Sequence, residues 1–328
     1  LSILKSLANL ALNSPPFFFE TTQRAQFANS LTTWDTAVSD PKQIANQLKN
    51  GRLVYYSHLE ADTGFPPRWH ENPFTQQKTP ANAHWSQIPD FAFGDIKTIW
   101  EPSRFGFTYT LVRTYWRTGD EQYAEQFWQA VEDWQAHNPP NSGANWKCGQ
   151  EASLRLMAWC FGLYGFADAQ ATTATRVATL AHMIAISGER FALNIQYALR
   201  QHNNHGVSEA MGLFTRGTLF PEFRQAAMWE KNGRLLLEKL AQELIYSDGA
   251  FSQQSSNYQR VMLQAYLWAA RLAEQAGKPF SNQLYGRLEK SGNLLFQLQF
   301  GTGGELPNYG PNDGALILPL NNCHYRDY

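Results

Sequence analysis

Between residues 95 and 300, apolar side chains return every three or four positions, and short polar, Gly or Pro turns interrupt them. A chain patterned this way must bury one stripe of each helix against the next. Short connections then make successive helices antiparallel neighbours. Asp95 can cap a helix over 95–117, and Thr118-Gly119-Asp120 stops that helix and starts the next. The helix over 121–137 carries Tyr123, Phe127, Ala130, Val131 and Trp134 on one face. After the break Pro139-Pro140-Asn141-Ser142-Gly143, helices are expected over 146–167, 172–199, 207–214, 222–246, 257–276 and 282–300. The hairpins have no fixed repeat length, which excludes a TPR or ankyrin array. Pattern alone predicts an all-α domain of helical hairpins and leaves toroid, bundle and solenoid open.

The flanks read differently. Residues 20–49 have a helical period that includes Trp34 and Ile44, and 55–90 form a long Pro-, Asn- and aromatic-rich loop of the kind that walls a cleft. No strand-turn-strand pattern is expected before residue 300. Beyond Gly301, turns at Gly303-Gly304 and Asn312-Asp313-Gly314 are followed by a single strand over 315–319. A lone strand needs partners, so 1–300 are read as the helical domain and 301–328 as the beginning of a truncated β-rich domain.

The formal net charge of −1 lacks the Lys/Arg excess that phosphate backbones require, which argues against nucleic acid. No run has the length of a membrane helix. Cys148, Cys160 and Cys323 have no metal-type spacing, and an odd number closes no disulfide framework. Aromatic residues make up 14% of the chain, with 11 Trp. Such rings pack between helices, and some can stack on the flat faces of sugars.

Four polar clusters stand out. Gln201-His202-Asn203-Asn204-His205-Gly206, with Glu209 beyond it, lies between two helices. Asn203 or Asn204 can cap the second of them, which leaves both histidines to be explained, and no HExxH-type spacing suggests a metal. In the run 248–258, Asp248-Gly249 is a turn, Ser255 or Ser256 a cap, and Tyr258 falls in the first helical turn. Glu101 and Arg104, three apart beside Trp100, can pair on one face; Glu151 and Arg155, four apart beyond Trp146, repeat that geometry.

The succession DIKTIWEPSRF, GANWKCGQEASLRLMAW, NNHGVSEAMGLF, the stretch from FPEFRQ to SSNYQR, and YGPNDGALILPL resembles the heparinase II/III and alginate lyase superfamily of polysaccharide lyases over most of 95–320. The resemblance implies an incomplete α/α toroid followed by an antiparallel β-sandwich domain of the same full-length protein. It implies an acidic, uronate-bearing polysaccharide as partner, no cofactor and no metal. It also implies a periplasmic or extracellular location. Tyr258 matches the family's catalytic tyrosine, and Asn204 and His205 match its Asn-His pair. The substrate contacts expected around them are Asn203, His202, Arg104, Glu101, Trp100, Trp146, Arg155 and Glu209. A further His or Tyr is expected from the β-domain. His324 and Tyr325 are left unassigned, so the activity of this stretch by itself stays open.

β-Elimination needs these residue types. The proton at C5 of a uronate is weakly acidic while the adjacent carboxylate stays charged. An amide donor such as Asn204, with Asn203 or His205 assisting, stabilises the enediolate-like charge as it forms. Tyr258 can take the C5 proton and return one to the departing O4 in syn elimination; His205 is the alternative base in anti elimination. Arg104 and Arg155 are candidate carboxylate or sulfate clamps. Two other readings compete: a glycoside hydrolase on an α/α toroid, needing two carboxylates drawn from Asp248, Glu209, Glu151 and Asp313, and a non-catalytic glycan-binding protein. The lyase reading requires the Asn-rich turn and the Tyr258 helix to share one groove.

Overall fold

A computed structural model describes residues 17–19, 26, 40–56, 58–302, 304–312 and 314–321. Among these residues the chain is all-α apart from one small hairpin. Residues 20–39, Trp34 included, lie outside the described residues except for residue 26, as do His324 and Tyr325. The chain divides into two compact units, built mainly from Phe19–Ser187 and Gly188–Ile317.

In the first unit, helix α1 (Pro41–Lys49) starts where the Asp40 carboxylate accepts from Lys42 N. Strands β1 (Arg52–Tyr55) and β2 (Leu59–Asp62) then pair antiparallel. This hairpin corrects the expectation of an irregular loop. Its strands are four residues long, too short for alternation to show. The single helix expected over 95–117 is two: α2 (Lys97–Ser103) and α3 (Phe107–Thr118). Phe105 breaks it with a φ of 59°, a conformation disfavoured for a bulky side chain. The ring is fully buried and stacks on Trp69 with centroids 5.3 Å apart, so packing holds a backbone that local preference resists.

Capping was legible here. Asp95 Oδ1 accepts from Lys97 N, Gly119 ends α3 with a φ of 71°, and Asp120 accepts from Gln122 N as α4 (Gln122–His137) begins. Helix α5 (Gly149–Gly165) is buried along nearly its whole length, and α3 packs against α1, α4 and α5. Helix α6 (Ala174–Arg200) follows.

The second unit contains α7 (Asn204–Leu219), α8 (Ala226–Leu244), α9 (Ser256–Gln275) and α10 (Asn282–Gln297). Helix α7 packs against α8 and α9, and α10 against the same two. The α7–α8 approach is close because each helix has a glycine where the other's backbone passes. A Cβ on Gly217 would lie 2.2 Å from Glu230 N, and one on Gly233 would lie 2.4 Å from Phe214 N. Helix α7 is longer than the expected 207–214: Asn204, His205 and Gly206 join its first turn, and it runs on to Leu219.

The strand expected over 315–319 pairs with no other strand among the described residues. Its partner is a side chain: Gln264 on α9 donates to Ala315 O at 2.9 Å and accepts from Ile317 N at 3.1 Å. One amide thus satisfies alternate backbone groups as a neighbouring strand would. Among the described residues, no helix is long and apolar enough to cross a membrane.

Candidate active site

In the second unit two of the four polar clusters, 201–206 and 248–258, lie together. Asn203 is the N-cap of α7, its side chain accepting from His205 N at 2.9 Å. That fixes the first turn, with Asn204 buried at 2% exposure and His205 half-buried. His202, just before the cap, is exposed and has a φ of 49°.

The turn before α9 meets this one directly. Gln253 Oε1 accepts from Asn204 N at 2.9 Å, and Ser252 Oγ donates to His202 O at 3.4 Å. Ser255 caps α9 by accepting from Tyr258 N at 3.2 Å. Tyr258 is therefore held in the first turn of α9, half-buried rather than sealed in the core. The Asn-rich turn and the tyrosine's helix end are stitched together by side chains of residues 252 and 253.

A third segment supports that helix end. Ser255 Oγ donates to Tyr309 O at 3.0 Å, and Ser256 Oγ bonds Pro307 O. Asn257 Nδ2 donates to Asn308 Oδ1 at 2.8 Å and to Gly310 O at 2.9 Å. Gly310 has a φ of 86° and passes so near Ser255 that a Cβ would overlap its Oγ. The motif around residues 307–312 thus braces the first turn of α9.

Glu209 lies four residues beyond His205 on α7, at 5% exposure. Burial pushes its carboxyl up to about 8, against the opposing pull of Arg190 and Arg216.

The remaining candidates belong to the first unit. Arg104 pairs with Glu101 at 3.0 Å, as the spacing predicts. Glu151, however, does not pair with Arg155. It takes Arg104 through two bonds, of 2.5 and 2.8 Å. The guanidinium expected to clamp a substrate anion is therefore engaged by two carboxylates. Arg155 is 2% exposed, donates to Ser103 O and Asn145 O, and lies 4.4 Å over the Trp134 ring. Trp146 is fully buried and donates to Asn138 O. Both are packing residues, correcting the expectation that they touch substrate. Trp100 is half-buried and donates to Ala144 O at 2.9 Å.

Two residues escaped the sequence reading. Tyr56, at a φ of 51°, donates its backbone N–H to Glu101 and is half-buried; burial, then Glu101, raises its phenol. Gln253 is the other, in a run of polar residues where nothing distinguishes it from Gln254. Among the described residues no cluster of His, Cys, Asp or Glu is arranged to hold a metal ion.

The family model described as Heparinase II/III N-terminus matches residues 23–303. A heparin-sulfate lyase of Bacteroides thetaiotaomicron is 25% identical over 322 residues, covering 93% of this chain and 44% of that protein. A heparin-sulfate lyase of Bacteroides stercoris is 22% identical over 241 residues, covering 63% of this chain and 36% of its own length. The chain thus spans less than half the length of these curated relatives. A crystal structure of heparinase III superposes with a TM-score of 0.59 at 18% identity, covering 88% of this chain and 47% of that one, which shows a shared fold.

Proposed function

The chain belongs to the family described as Heparinase II/III N-terminus, and from that premise we propose that it carries the helical part of a polysaccharide lyase's active site, one that cleaves a uronic-acid-containing glycan by β-elimination. The observation that carries this reading is the junction between Asn204 and Gln253, which joins the turn bearing the Asn-His pair to the turn leading into Tyr258.

The Asn204 carboxamide donates to the uronate carboxylate and stabilises the charge that spreads onto it as C5 loses its proton. The Tyr258 phenolate takes that proton on the same face of the ring. The electron pair forms the C4=C5 double bond, the bond from C4 to the bridging oxygen breaks, and the phenol protonates the departing oxygen. His205 is the base for the opposite stereochemistry. No cofactor enters these steps. The lyase names of the relatives favour a heparan-type glycosaminoglycan among the uronate polymers, and a substrate polymer of that size fits a periplasmic or extracellular site of action. A further domain of the full-length protein completes the site.

Hydrolysis is less well supported, because it needs two carboxylates flanking one bond. Of the four candidates, Glu151 is gripped by Arg104, Glu209 is buried, Asp248 is exposed in a turn where it accepts from Ala250 N, and Asp313 lies outside the described residues.

The test uses the full-length protein and a panel of uronate polysaccharides, followed by the ultraviolet absorbance of the unsaturated product. Tyr258→Phe should lower turnover by about 10²–10⁴-fold and leave the Kd for substrate within a few fold. Undiminished turnover rejects the role of Tyr258. New reducing ends without the absorbing product reject the lyase reading itself.

A further inference from the structure

Resting on the lyase reading above, we infer that Gln253 is a positioning residue: its side-chain carbonyl sets where the Asn204 amide stands relative to the Tyr258 helix. The argument begins with helix ends. The first N–H groups of an α-helix find no acceptor inside the helix and must be met from outside. In α7 the N-cap Asn203 meets the His205 N–H. The Asn204 N–H is met from another part of the chain, by Gln253 Oε1 at 2.9 Å, across 49 positions of sequence.

A local cap orders only its own helix. A cap supplied by a distant turn also fixes the helix against that turn. Here the fixed end carries Asn204 and His205, and the accepting turn runs within two residues from Gln253 into Ser255, the cap that orients Tyr258. The bond between Ser252 Oγ and His202 O runs alongside. Backbone conformation supports the same view. His202 and Gln254, one on each side of the junction, both have a φ of 49°, a region that non-glycine residues occupy only where surrounding contacts hold them. Both turns are bent into place and joined at the point of bending.

Two nearly isosteric replacements separate acceptor from shape. Gln253→Met removes the acceptor, and Gln253→Glu retains it. Two readouts apply to the full-length protein: hydrogen exchange at the Asn204 amide, and kcat and KM on a uronate polysaccharide. With Gln253→Met, exchange at Asn204 should quicken at least about tenfold, and kcat should fall about 10–100-fold from misplacement of the reacting groups, with KM little changed. Gln253→Glu should restore slow exchange and most of kcat.

Unchanged exchange in Gln253→Met overturns the brace. Faster exchange with undiminished kcat overturns the positioning role, and equal losses of kcat in the two variants show that the acceptor is not what matters. If the parent protein releases no unsaturated product from any uronate, the function reading falls and the catalytic half of this inference falls with it, while exchange at Asn204 still decides the brace.

Discussion

Arg104 holds both oxygens of Glu151, Nε at 2.5 Å and Nη2 at 2.8 Å, while its Nη1 reaches Glu101 at 3.0 Å. The planar fork of arginine matches a carboxylate bidentately, which a lysine ammonium does not. With side-chain exposures of 12% and 4%, Arg104 and Glu151 are sheltered from water, and removing Arg104 leaves the Glu151 charge buried without this fork.

Arg104→Ala should therefore lower the stability measured by chemical denaturation by about 3–5 kcal/mol. Arg104→Lys keeps the charge without the fork and should fall between the variant and the parent. Since the guanidinium is already engaged, glycan affinity measured well below the melting temperature should change less than about threefold, under 1 kcal/mol. A larger loss of affinity in a stably folded variant would restore Arg104 as a direct substrate contact.

Glu209 gives a pH dependence whose direction follows from its burial. Its carboxyl titrates near 8 in the folded protein, against an ordinary value of 4.5. Between those values the unfolded chain releases a proton that the folded chain keeps, so stability falls as pH rises and levels off above about 8. Glu209→Gln resembles the protonated acid and removes this slope. In thermal melts from pH 5 to 9 the variant should match the parent at pH 5 and exceed it increasingly towards pH 8. Parallel curves would mean that Glu209 is ionised throughout.

Gln264 holds the extended segment at 315–317 through one donated and one accepted bond. Gln264→Leu should cost about 1–3 kcal/mol of local stability, from two backbone groups losing their partners. The Ile317 amide should then exchange at least about tenfold faster, with little change at core amides of α9. Protection at Ile317 that survives the substitution would show another acceptor for that N–H.

Local chemistry made much of this fold legible. Gly119 ends and Ser255 begins a helix where expected, since a left-handed terminus and a side-chain cap are decided within four residues; Asn203, one of two candidate caps, begins its helix at Asn204 rather than near Val207. Side chains of Ser252 and Gln253 join the Asn-His stretch to the turn leading into Tyr258, and no local rule names Gln253 as what joins them. Distant contacts hid the rest. Phe105 breaks a helix because Trp69 stacks on its ring. Arg155 ignores Glu151 four residues away because two carbonyls and the Trp134 face surround it, so a rule for solvated helix surfaces does not reach it. The apolar run at 315–318 has the composition of a strand, and only the third dimension reveals that a glutamine takes the place of its neighbour.

The paired glycines of α7 and α8 bear on how this protein can change over time. With main chain resting on main chain at residues 217 and 233, neither rod has slack to roll or slip past the other, and even one added methyl group on either would wedge them apart. The end of α7 that carries Asn204 and His205 is thus mounted on a rigid rail, so the setting of those two side chains is more readily changed by altering the surrounding turns than by re-aiming the helix itself.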